Sequence, residues 1–157
     1  MVSSTDMENC GIIIGRRYIR SNSVYVGQFE FGFKHGTGRV TYASGNYYDG
    51  EWKFDKKNGY GEMYWLTTNE IYKGFWEENL QSGFGTHLWL EDPGQLKTLR
   101  NRYEGMWFGG MRNGYGTFYY SDGSRYDGEW SNNIKEGFAV YIDHLGDVVE
   151  AIFKNDR

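Results

Sequence analysis

The tightest constraint on this chain is a spacing. Tyr-x-Gly-x-aromatic occurs five times, as YVGQF (25–29), YDGEW (48–52), YKGFW (72–76), YEGMW (103–107) and YDGEW (126–130). The starts are separated by steps of 23, 24, 31 and 23 residues. Eleven residues after each Tyr comes Gly-x-Gly, beginning at Gly36, Gly59, Gly83 and Gly114 and decaying to Gly137-Phe-Ala139. Self-similarity at a period of roughly 20–50 residues is the signature of a stacked array in which no unit buries its own apolar face alone.

Each half of the unit reads as a β-strand. In Tyr48-Asp-Gly-Glu-Trp52 the ring-bearing and tiny residues alternate with the charged ones, which is the period of two of an extended chain. Tyr48, Gly50 and Trp52 then share one face, and Asp49 and Glu51 the other. Ser44-Gly45, Asp122-Gly123 and Leu145-Gly146 supply turns between successive strands. The longest step places eight extra residues within EDPGQLKTLRN, which holds the only proline, in an enlarged hairpin loop. No segment sustains a helical period. The glycines have a packing reason. Strands lie about 4.8 Å apart, so a bulky neighbour would displace a ring lying flat on the backbone. Expected, therefore, are about eleven antiparallel strands, each hairpin touching only the one before and the one after.

The ends carry fragments of the same unit. A half repeat spans 15–24, with Asn22 where the other units place a turn glycine, and a decayed opening strand spans 149–153, with Val149, Ala151 and Phe153 replacing Tyr, Gly and aromatic. The organisation expected is an irregular N-terminal lead (1–14), an array over 15–153 with repeats starting at 25, 48, 72, 103 and 126, and a charged tail (154–157). Lys154, Asp156 and Arg157 would guard the last strand edge against uncontrolled addition.

Composition narrows the function classes. Of 157 residues 19 % are aromatic and 23 are glycine, yet mean hydropathy is −0.72, which suits one-sided burial. A formal charge of −4 argues against a protein devoted to nucleic acid. Cys10 stands alone, so an intrachain disulfide is excluded and a reduced, intracellular setting is expected. No signal-peptide pattern or apolar run of membrane-spanning length is present. Catalysis is not expected either. His35, His87 and His144 have no metal-ligand spacing, and no nucleophile elbow, HExxH or phosphate loop occurs. Glu77-Glu78 and Glu91-Asp92 are adjacent and would point to opposite sides of a strand. No cofactor or metal is expected.

The pattern Y-x-G-x-W…G-x-G at a 23-residue step resembles the MORN repeat ("membrane occupation and recognition nexus"), over roughly residues 15 to 153. The resemblance implies an all-β fold: an elongated, twisted single antiparallel sheet of successive β-hairpins with an aromatic-lined concave face. GRRYIRSNSVYVGQFEFGFKHGTGRVTYASGNYYDGEW and LRNRYEG are most similar to the MORN-repeat subunits of the ciliary radial spoke head. That implies a non-catalytic scaffold in the cytoplasm and cytoskeleton of a cilium or flagellum, with other axonemal or radial spoke proteins as partners. The residues expected to meet those partners are Tyr48, Trp52, Tyr72, Trp76, Tyr103, Trp107, Tyr126 and Trp130, continuing a row begun by Tyr25 and Phe29.

The alternative is a membrane-apposed adaptor that binds anionic phospholipid or tethers a motor protein tail. Its candidate cations are Arg16, Arg17, Arg20, Lys56, Lys57, Arg100 and Arg102, scattered and matched by Asp49, Glu51, Glu77 and Glu78. Membrane attraction needs several such charges together, so lipid is the weaker expectation. The sequence leaves the oligomeric state open.

Overall fold

The computed structural model describes residues 11–19, 21–91 and 99–157. Cys10, Arg20, most of the expected N-terminal lead and the proline-bearing part of the enlarged loop lie outside the described residues. The rest is one antiparallel sheet whose strand order is the sequence order. Its strands are β1 (Ile13–Ile19), β2 (Ser23–Glu30), β3 (Phe33–Thr41), β4 (Tyr47–Lys53), β5 (Lys56–Trp65) and β6 (Glu70–Glu77), followed by β7 (Leu80–Leu90), β8 (Leu99–Phe108), β9 (Met111–Tyr119), β10 (Arg125–Ser131), β11 (Ile134–Ile142) and β12 (Val148–Phe153). There are twelve strands where about eleven were expected, because both terminal fragments pair fully. β1 extends back to Ile13 and sets Gly15 opposite Gly27, while β12 sets Ala151 opposite Ala139.

Every opening strand carries the same irregularity. The ladder slips two residues between Gly and the ring at Gly27/Phe29, Gly50/Trp52, Gly74/Trp76, Gly105/Trp107 and Gly128/Trp130, so that one residue of the opening strand faces three of the closing strand. Opposite each slip stands the first glycine of Gly-x-Gly, with φ between +64° (Gly36) and +96° (Gly59), a conformation that a Cβ strains. The second glycine has another reason. A Cβ on Gly61 would sit 2.2 Å from the Tyr48 hydroxyl, and one on its partner Gly50 would sit 2.4 Å from the Gly61 Cα. One glycine makes the bulge, and the facing pair leaves a slot for the tyrosine.

Asn22 takes positive φ (56°), as the turn there requires. The C-terminal residues also have a structural task. Asn155 and Asp156 have φ of 54° and 64°, and the Asp156 carboxylate accepts the Lys135 backbone N–H at 2.8 Å.

Candidate interaction surfaces

The five motif tyrosines lie in the slots that the glycine pairs leave, each fully buried at 0 % exposure. Each hydroxyl donates to the carbonyl of the residue in the bulge: Tyr25 to Gln28, Tyr48 to Glu51, Tyr72 to Phe75, Tyr103 to Met106 and Tyr126 to Glu129, all at 2.8–3.0 Å. A phenylalanine would leave that carbonyl unpaired, which explains why the motif starts with Tyr. Each motif tryptophan donates its indole N–H to a glycine carbonyl of the preceding repeat, as Trp52 does to Gly38 at 2.8 Å and Trp76 to Gly61 at 3.1 Å. The rings meet edge to face in an unbroken column. Tyr48 lies 5.1 Å from Trp52 and 5.4 Å from Trp76, and Tyr72 lies 5.1 Å from Trp76 and 5.2 Å from Trp107. Such contacts add roughly 0.5–1.5 kcal/mol each beyond burial.

This changes the role expected of the motif rings. Tyr48, Tyr72, Tyr103 and Tyr126 are sealed, and Trp52, Trp76, Trp107 and Trp130 are only 4–6 % exposed. All eight come together in one row, but the row is the protein's own core. Two sets of residues on the same face close over it. The first is a cation nine residues after the motif tyrosine. Lys34 Nζ lies 4.1 Å from the Trp52 ring, Lys57 Nζ 4.7 Å from Trp76, and the Arg112 guanidinium 4.3 Å from Trp130. Lys57, one of the candidate cations of the membrane alternative, is tucked over rings instead. Burial, helped by Lys34, lowers its pKa to about 8.

The second set follows the Gly-x-Gly pair. Val40, Met63 and His87 are buried there, with Phe118 and Tyr141 half-buried. Beyond them Tyr42, Trp65, Trp89 and Tyr120 are half-buried, and these rings are what the inner face presents to solvent. The sequence signal was a large side chain two residues after the second position of each Gly-x-Gly and, in the first four repeats, an aromatic four residues after it. His87 stacks on Trp89 (4.1 Å, 2° between planes) and lies against Trp65 (5.7 Å, 15°), with Nε2 2.9 Å from the Glu70 carboxylate. Burial pushes its pKa below the ordinary histidine value, Glu70 opposes this, and Arg112 adds to it.

The opposite, outer face carries ion pairs between neighbouring strands: Arg39 with Asp49 at 2.6 Å and Lys73 with Glu62 at 3.0 Å. Lys56 pairs with Glu78, and Arg102 with Glu104 at 3.2 Å. Among the described residues no group of three or more His, Cys, Asp or Glu is placed to hold a metal ion.

The family model for the MORN repeat matches residues 25–47, 48–66, 72–89, 103–125 and 126–144, more than half of the chain. The chain belongs to the MORN-repeat family. MORN arrays act as scaffolds for protein or membrane interaction. No curated protein matches the sequence. Among solved structures the array is similar to the SAS-4 (dCPAP) TCP domain of Drosophila melanogaster, solved in complex with a proline-rich motif of Ana2 (dSTIL). The identity is 12 %, 90 % of each chain is covered, and the TM-score is 0.41.

Proposed function

We propose that this MORN array is a non-catalytic protein–protein interaction scaffold of a ciliary or flagellar axoneme, working in the radial spoke head. The assembly rests on the resemblance of its repeats to the spoke-head subunits. The observation that supports a partner surface is the half-buried outer row of the inner face. Tyr42, Trp65, Trp89 and Tyr120 stand above a sealed core and have no second sheet or helix over them among the described residues. In this reading the motif rings, Tyr48 to Trp130, hold that row in place and the partner touches the row itself. The membrane reading is less supported. Lys57 is engaged with Tyr48 and Trp76, Lys56 with Glu78, Arg102 with Glu104, and Arg17 with Phe29 and the Gly32 carbonyl.

The test is co-purification from axonemes with the parent chain and with Trp65→Ala and Trp89→Ala, each checked by thermal melt. Loss of spoke-head proteins by variants that still fold supports the reading. Equal recovery from all three, or recovery by anionic vesicles in place of axonemal proteins, overturns it.

A further inference from the structure

The outer face of the sheet should be polar throughout, yet its middle is not. The residue in each bulge faces outward, beside the residue between the two glycines of the preceding repeat. Across the array this row reads Ile14 beside Gln28, Thr37 beside Glu51, Tyr60 beside Phe75, Phe84 beside Met106, Tyr115 beside Glu129, and Phe138 beside Ile152. Tyr60, Phe75, Phe84, Met106 and Tyr115 follow one another without interruption, each 41–59 % exposed. Glu51 and Glu129, both exposed, stand at the two ends of that run.

Two of these apolar residues displace a side chain with a local task. Gln28 Oε1 accepts the Thr37 backbone N–H at 2.6 Å, and Glu51 Oε1 accepts that of Tyr60 at 2.7 Å, each bridging the bulge of its own hairpin. Phe75 and Met106 occupy the same position and can make no such bond. Nor do they gain burial in exchange, since half of each remains in water. Contiguous exposed apolar surface rimmed by charge marks an interaction site.

We infer that this outer stripe is a second docking surface, for an amphipathic helix of a partner protein that carries a basic residue near each end. The stripe runs across the strands, so its rings recur about every 4.8 Å, close to the 5.4 Å pitch of an α-helix. An extended segment would present same-face side chains about 6.6 Å apart and fall out of step. From β5 to β9 is four strand steps, about 19 Å, which about 13 helical residues span. From Glu51 on β4 to Glu129 on β10 is six steps, about 29 Å, or about 19 residues. The carboxylates at both ends select positive charge there. This surface lies on the opposite side of the sheet from Trp65 and Trp89, so it is a site additional to the inner row.

The experiment uses the full chain and a fluorescent 19-residue probe helix with leucines along one face and two lysines at each end, followed by anisotropy. A double variant, Phe75→Glu with Met106→Glu, installs the residue type that Glu51 and Glu129 already provide at this position, so it should fold with an unchanged or raised melting temperature. Phe84→Ser serves as an independent, half-exposed substitution. The expected result is probe binding that weakens at least tenfold in the double variant and severalfold in Phe84→Ser. A probe ending in glutamates should bind about two- to fivefold more weakly than the lysine probe, the range of exposed charge pairs. Trp89→Ala should leave the affinity unchanged. Equal binding by parent and double variant overturns the inference, as does equal binding of the acidic probe. Loss of the probe in Trp89→Ala alone moves the site to the inner face and leaves the scaffold reading standing. Sedimentation showing a dimer of the parent that the double variant abolishes makes a second copy the occupant, and also overturns it.

Discussion

Two neighbouring junctions of the array, between the repeats starting at 48 and 72 and between those starting at 72 and 103, share a backbone and differ in side chains. At the first, Asn79 N–H donates to the Lys57 carbonyl at 3.1 Å, and Asn79 Oδ1 accepts the Lys57 N–H at 2.9 Å. The Lys57 ammonium then lies over Trp76. At the second, Gly110 N–H donates to the Gln81 carbonyl at 2.9 Å, but Gly110 has no side chain to return the bond and Gln81 carries no charge to lay over Trp107. The junctions at Asp55, Asn133 and Asp156 all follow the first pattern. In exchange, the second junction has the longest ladder, β7 with β8, running out to Leu90 opposite Leu99, and the His87 stack beside it. The backbone bond sets the stacking distance everywhere, and side chains decide how firmly each junction is closed.

The largest effects should ignore this difference. Gly50→Val and Gly105→Val put a branched side chain 2.4–2.5 Å from the Cα of the facing glycine. Each should cost at least about 3 kcal/mol, the top of the usual range for overpacking. Asp49→Val, which loses only an exposed pair with Arg39, should cost under about 1 kcal/mol. Comparable melting shifts for Gly50→Val and Asp49→Val would mean the two faces are misassigned.

Alkaline pH should also act on both junctions alike. Burial lifts all five motif phenols above their ordinary 10.0, to about 12 at Tyr25 and Tyr126. The unfolded chain therefore releases these protons first. Their stabilisation is complete below pH 10 and is lost as pH rises from 10 through the folded values. Melting temperatures that hold flat from pH 9 to 12 would contradict the sealed tyrosine slots.

Smaller effects should separate the junctions. Asn79→Gly makes the first junction like the second and should cost about 1 kcal/mol, the net worth of one hydrogen bond. In the parent, the Gln81 amide should exchange with solvent faster than those of Lys57 and Arg112, by up to about tenfold for a 1.4 kcal/mol difference. The smallest changes are gains. Gly110→Asn, at a φ of +82° that Asn tolerates, and Gln81→Lys should each add about 0.5–1 kcal/mol. No gain from either would show that the His87 stack already closes that junction.

Much of the fold was legible because it is written in a period of two interrupted by glycine. Tyr48, Gly50 and Trp52 announce their face, and Asn22 announces its turn. The pattern misleads at the bulge. The slip between Gly50 and Trp52, followed by a four-residue turn, swings Lys57 onto the ring face, whereas Lys56 beside it stays outside and pairs with Glu78. Adjacent lysines in a sequence give no sign of that separation. The motif rings were read as a surface because a single sheet offers no second layer. Edge-to-face packing at about 5 Å closes the row without one. The outer stripe escaped notice because Phe75 and Met106 sit where other repeats place Gln or Glu, and one repeat read alone does not reveal the exchange.

The strand order has a mechanical consequence. Hydrogen bonds run perpendicular to the strands, and β1 and β12 lie at opposite ends of the order, each paired on one side only among the described residues. A pull between those ends is directed along the hydrogen bonds, with eleven ladders loaded in series. Such a body has the tensile strength of its weakest rung, not the sum of its rungs. It resists sideways shear of one strand past another far better than stretching along its length.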